Sequence, residues 1–323
     1  MLAAILDFKN FVDTFWTNTV DGFALGAIYA LVALGYTLVY GVLRLINFAN
    51  SEVFMIGTFG SVIALRLLGF GVNDLPMSVA GATGSLLLML TFSVVFSTVT
   101  AIALERLAYR PLRRRNAPRL VFLISAIGAS LALSAGVERF GPKKSEPYAT
   151  GQPLKATTNY LFGTGAVAGK HIIVTAGAIL MMLLLTSLVA KTRLGRGMRA
   201  VAQDSESARI LGVNTEQIIL VTFALGGLMA GAAAFLYIVY YKQTDATVGF
   251  ILGVKSFTAA VLGGIGNVKG ALLGGLLLGV LENWGAGLFG GKWKDVVAFV
   301  ILVLVLMFRP TGLLGESLGR ARA

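Results

Sequence analysis

The chain has 323 residues, with no cysteine, seven prolines and one histidine, His171. Without cysteine there is no disulfide framework, no thiolate site for zinc or an iron–sulfur cluster, and no thiol nucleophile. A lone histidine cannot supply a His-based metal site, and a Ser-His-Asp triad is improbable. Charge is scarce as well. Asp, Glu, Lys and Arg make up 13% of the residues, where a soluble domain carries about a quarter. That is too little to cover a water-facing surface, and it excludes an ordinary soluble enzyme. Nucleotide fingerprints are missing. Thr164 stands where a P-loop ending in Gly169-Lys170 needs its first glycine, and His171 follows in place of Ser or Thr. Gly264-Ile265-Gly266 lacks the spacing and βαβ setting of a dinucleotide site. No cofactor is expected, and ATP, if used, must be hydrolysed by another subunit.

What the chain does have is apolar length. Hydrophobic residues make up 56%, glycine contributes 40 residues, and the mean hydropathy is +0.82. This composition predicts an all-α polytopic membrane protein, a single transmembrane domain over residues 1–323. A spanning helix needs about 20 mostly apolar residues. Gly22–Leu43, Leu75–Leu104, Leu120–Val137, Ile172–Ala190 and Gln217–Tyr241 qualify. Val53–Val72 contains Arg66, and Trp293–Phe308 is short. Ala246–Leu281 contains Lys255 and Lys269, and its Gly-rich centre reads either as two tilted spans or as a broken helix. The total comes to eight to ten membrane segments. Residues 1–16 lack the basic start of a secretory signal. With Ile5, Phe8, Val12, Phe15 and Trp16 at helical spacing, they read as an amphipathic segment on the membrane surface, or as the start of the first span.

The net charge of +12 reads as membrane charge bias, not as a nucleic-acid footprint, because the basic residues crowd the ends of apolar runs. Arg106 to Arg119, Lys191 to Arg199 and the tail Arg309, Arg320 and Arg322 are placed on the cytoplasmic side. The 141–170 loop is then external, despite its four lysines. Glycines four apart recur at Gly22/Gly26, Gly227/Gly231, Gly270/Gly274 and Gly275/Gly279. Such pairs let helices approach closely, and packing within the chain is the simpler use for them.

Two polar motifs interrupt the apolar pattern. Asn47, Asn50, Ser51 and Glu52 lie between two apolar runs, and in lipid they are costly unless they face partners or a cavity. They are pathway candidates, with an interfacial helix cap as the plain alternative. Thr258, Gly263 and Gly264, in the Gly-rich stretch, are candidates of the same kind. The second motif, residues 192–216, is a charged cytoplasmic stretch in which Met198, Val201, Ala202, Ala208 and Leu211 can line one side and Gly212 can end a helix. It reads as a docking element or as a helix lying on headgroups.

These residues also carry a resemblance. Gly26–Leu31, Gly35–Gly41, Ile46–Glu52, Glu105–Pro111, Gly195–Asn214, Phe257–Gly266, Lys294–Val297 and Pro310–Gly312 resemble, in order, motifs of the permease subunits of bacterial ABC importers for branched-chain amino acids. The motifs run almost the whole length. At one point the chain departs from the pattern: Asn50 and Ser51 stand where the family usually has His and Gly. The resemblance implies a type II ABC importer permease fold in the bacterial inner membrane. It implies a homologous second permease, two cytoplasmic ATPases and an extracytoplasmic substrate-binding protein. It also implies that Arg196, Met198, Arg199, Asp204, Leu211 and Gly212 couple to an ATPase. Urea, short amides and other amino acids remain alternative cargoes. A secondary transporter or channel is the alternative class, with Glu52, Glu105 and Glu282 as its candidate carboxylates.

Overall fold

The computed structural model describes residues 8–69, 79–140, 159–162, 165–309 and 311–315. The first residues of the N-terminal segment, the start of the third apolar run, most of the 141–170 loop, and Pro310, Arg320 and Arg322 lie outside the described residues. Twelve helices are described: α1 (Phe8–Leu43), α2 (Asn50–Leu67), α3 (Val79–Leu104), α4 (Arg110–Arg114), α5 (Arg119–Phe140), α6 (Gly169–Lys191), α7 (Arg193–Gln203), α8 (Ser205–Ile210), α9 (Thr215–Tyr241), α10 (Val248–Gly263), α11 (Val268–Phe289) and α12 (Lys294–Phe308). One feature departs from the all-α expectation. Asn159–Phe162 and Gly165–Ala168 pair as a short antiparallel hairpin, Asn159 opposite Ala168.

Among the described residues, six helical stretches are long and apolar enough to cross a membrane: Phe11–Leu43, Gly81–Arg114, Arg119–Phe140, Gly169–Lys191, Thr215–Tyr241 and Val268–Phe289. Of the five uncharged runs named from sequence, four lie within the first, third, fourth and fifth of these, and Leu75–Leu104 overlaps the second from Gly81 on, its start lying outside the described residues. The remaining apolar helices α2, α10 and α12 have 18, 16 and 15 residues. They reach about 27, 24 and 22 Å, short of a hydrocarbon core about 30 Å thick. The expected count of eight to ten therefore meets six full-length helices plus shorter pieces. From Phe8 on, the N-terminal segment continues without a break into the first span. Phe8, Val12 and Trp16 are exposed, whereas Phe15 stacks on Trp284 of α11.

The centre of the bundle is α1, whose residues Ala24 to Leu34 are almost entirely enclosed. Glycine makes that possible. A Cβ built on Gly26 would lie 2.8 Å from the Gly275 carbonyl, and one on Gly275 would lie 2.5 Å from Ala30 Cα. The pairs Gly22/Gly26 and Gly275/Gly279 thus face each other across α1 and α11. Gly231 of α9 meets α3 in the same way, 2.7 Å from Val94 Cα, and Gly274 of α11 meets Gly263 of α10. The recurrent spacing serves packing inside this chain.

The Gly-rich stretch, read from sequence as two tilted spans or as a broken helix, is interrupted at residues 264–267. Gly264 (φ +107°) and Gly266 (φ +96°) take left-handed conformations that disfavour any residue with a Cβ. Asn267 then starts α11, its side chain accepting from the N–H groups of Lys269 and Gly270. The carbonyls freed at the end of α10 are not left bare. Leu313 N–H donates to Leu262 O at 2.8 Å, and Leu314 N–H donates to Gly263 O at 3.0 Å. Asn267 Nδ2 donates to Leu314 O at 2.8 Å. The 311–315 segment therefore caps α10.

Candidate functional site

At one end of the bundle the basic segments converge. Arg44, Arg113, Arg114, Arg119 and Arg209 border an open depression of about 1070 Å³, together with Asp204, Glu206 and Glu216. Arg110 and Arg114 pair with Glu216 at the start of α9. α7 and α8 sit here, and each start in this region is capped. Thr192 Oγ1 accepts from Gly195 N–H, Asp204 from Glu206 N–H, and Asn214 from Gln217 N–H. The Ser207 hydroxyl at 2.5 Å, helped by the Glu206 and Ser207 N–H groups, holds the Asp204 carboxyl below the usual carboxylate range.

Met198, Val201 and Ala208 are buried against the chain itself, and Ala202 is half-buried. Leu211 is a correction. It is 82% exposed beside Ile210 at 80%. Gly212 (φ +87°) closes the turn and leaves Leu211 outside the buried strip. Arg196, Arg199, Asp204 and Gly212 are also exposed. Arg199 donates back to Val189 O at the end of α6.

The Asn47 motif lies deeper. Asn47, Asn50, Ser51 and Glu52 are all at most 6% exposed. Asn47 Oδ1 accepts from the Tyr109 hydroxyl at 2.9 Å. Tyr109 ends a π-helical turn, Glu105–Tyr109, that joins α3 to α4. Asn50 Nδ2 donates to Val32 O at 3.5 Å, and Ser51 Oγ donates to Phe48 O at 2.6 Å. Glu52 Oε1 accepts from Ser130 Oγ of α5 at 3.2 Å. Thr258, Gly263 and Gly264 do not join this cluster. The Thr258 hydroxyl bonds to Val254 O of its own helix, and the two glycines pack on α11 and the 311–315 segment.

The three buried carboxylates named from sequence behave differently. Glu105 pairs with Arg113 at 2.8 Å. Glu282 pairs with Lys255 at 2.7 Å, and Lys255 also reaches Asp295 at 2.6 Å. Lys255 is therefore ion-paired inside the bundle rather than extended to headgroups. His171 pairs with Asp21 of α1 at 2.7 Å, which gives it a place in packing. Glu52 alone of the three has no ion-pair partner among the described residues. Sequence reasoning missed Tyr109, Ser130 and the Lys255–Glu282–Asp295 group as partners. Only Lys255 and Glu282 gave a signal, as charges in apolar runs.

Residues 18–306 match the family described as the permease component of the branched-chain amino acid transport system. This chain belongs to that family. It is 43% identical over 303 residues to the high-affinity branched-chain amino acid transport system permease protein BraD of Pseudomonas aeruginosa, covering 92% of this chain and 94% of that one. To the corresponding protein LivH of Escherichia coli K12 it is 38% identical over 310 residues, covering 94% and 96%. The probable branched-chain amino acid transport permease LivH of Methanocaldococcus jannaschii is 26% identical over 292 residues, with 88% of each chain covered. The match covers both the α7–α8 pair and the Asn47 motif. The family match and the six apolar helices together make this chain a multi-pass membrane permease.

Proposed function

We propose that this chain is the membrane permease of an ATP-driven importer of branched-chain amino acids in the bacterial cytoplasmic membrane. The near full-length likeness to BraD and LivH carries the reading. It works with a homologous second permease, two cytoplasmic ATPases and an extracytoplasmic binding protein. The binding protein selects the cargo, and this chain offers a transient path. The short helices α2, α10 and α12 are membrane segments of partial reach, which gives nine segments in all. Asn47, Asn50, Ser51 and Glu52 border the path; Gly263 and Gly264 at the α10 break, and Thr258 within α10, are further path candidates.

Residues 192–216 are the coupling segment. Ile210 and Leu211 are exposed, and so are the charged Arg196, Arg199, Asp204 and Arg209 of the same segment; exposed apolar side chains in a charged segment suit a protein-docking surface. Replacing Arg199 and Asp204 together with Ala is expected to lower binding-protein-stimulated ATP hydrolysis about fivefold or more. Cargo affinity of the binding protein should be untouched. Wild-type stimulation in the double variant would reject the coupling role. Failure of the wild-type assembly to take up leucine, isoleucine or valine would reject the cargo.

A further inference from the structure

Among the buried carboxylates, Glu52 is the one whose charge is not matched. It is 1% exposed. Hydroxyls of Ser51, Ser130 and Ser134 reach it, but its Oε2 has no hydrogen-bond partner among the described residues. A buried carboxylate without a cation is expensive, and this fold pairs Glu105 and Glu282 with basic side chains. The open oxygen looks onto α10, at a face made of backbone. A Cβ on Gly249 would lie 2.7 Å from Glu52 Oε2, and Gly253 lies against Ser51. Ser256 continues that face at helical spacing, and its buried hydroxyl also lacks a partner. No hydrogen bond between described residues crosses from α2 to α10. Elsewhere α10 is tied down, on another face by Lys255 to Glu282 and Asp295 and at its C-terminal end by the Leu262 and Gly263 carbonyls to the 311–315 segment. Thr58 of α2 is tied to Thr244, just ahead of α10, at 2.6 Å; beyond that bond the seam between α2 and α10 can part without breaking a polar contact among the described residues.

We infer that this seam holds the ammonium group of a zwitterionic amino acid in passage, with the Glu52 carboxylate as its counter-ion. The inference rests on the transport reading and deepens it. A charged N–H donor completes the coordination of Oε2 that the protein leaves open. The two glycines let the cargo come against α10 backbone when the seam parts. An apolar side chain adds no polar demand of its own.

The test uses the complete importer in proteoliposomes with its binding protein, measuring leucine uptake per ATP hydrolysed. Glu52→Gln keeps the shape and removes the charge. It is expected to lower that ratio about tenfold or more, the loss of one hydrogen bond to a charged group. Glu52→Asp keeps the charge and should recover part of the ratio. A wild-type ratio in Glu52→Gln would overturn the inference, because a neutral acid or a packing role would then suffice. So would Glu52→Asp performing no better than Glu52→Gln. If Glu52→Gln does not co-purify with its partners, Gly249→Ala decides. It keeps the carboxylate and places a methyl where the ammonium would sit, so wild-type uptake there would equally overturn the proposal. A wild-type complex that hydrolyses ATP but moves no leucine, isoleucine or valine would instead refute the transport reading itself.

Discussion

Lys255→Met is expected to destabilise the purified chain by about 3–5 kcal/mol, the cost of breaking a buried ion pair from one side. The geometry fixes which partner suffers. The Glu282 side chain is fully enclosed, whereas that of Asp295 is 56% exposed. Removing the ammonium leaves Asp295 its water and leaves the enclosed Glu282 carboxylate without its ion-pair partner. Glu282→Leu should cost less, because Lys255 keeps Asp295 at 2.6 Å and the face of Tyr29 beneath it. The double variant Lys255→Met/Glu282→Leu removes both buried charges and should recover most of the loss. Thermal unfolding of the four proteins in detergent, followed by the fluorescence of Trp284 and Trp293, closes a double-mutant cycle. Equal destabilisation by the two single variants, with additivity in the double, would show that the group contributes packing alone.

That ion group marks the boundary of what the residue order discloses. The long spans were legible because an uncharged apolar run of the right length has few other fates in a membrane protein. The break at residues 264–267 was legible for a local reason as well: three glycines and an asparagine crowd into five positions, Gly263 to Asn267. The helix-ending role of Gly212 belongs with these. Partnerships across the bundle were not legible. Lys255 and Glu282 are 27 residues apart, and Tyr109 and Asn47 are 62 apart. Nothing in either neighbourhood names the other. Leu211 was misplaced because helical spacing was carried one residue past the end of α8, where the chain no longer follows it. The polar motif at Asn47 to Glu52 announced that it needed partners, but not that Ser130 of α5 would be one of them.

Gly26→Val is expected to prevent native assembly of α1 against α11, at a cost of about 3 kcal/mol or more, the upper end for overpacking. Overpacking is milder where a flexible side chain can swing away. Here the neighbours of the missing Cβ are the Gly275 carbonyl at 2.8 Å and Leu276 Cα at 2.9 Å, both backbone. Relief would require the two helices to separate. Separation would also release the contacts of Gly22 and Ala30 with Gly279 and Gly275, because these residues lie on the same face of α1. A single residue can therefore unseat the helix at the centre of the core. The control is Gly128 of α5, where a Cβ would meet nothing within 4 Å. Gly128→Ala should leave stability unchanged or raise it by up to about 1 kcal/mol, the gain in helix propensity. Size-exclusion profiles and thermal unfolding of the two variants should diverge, Gly26→Val aggregating or melting early and Gly128→Ala matching the parent. A monodisperse Gly26→Val with parental stability would mean that α1 and α11 are not held at glycine distance, and the packing of the core would have to be redrawn.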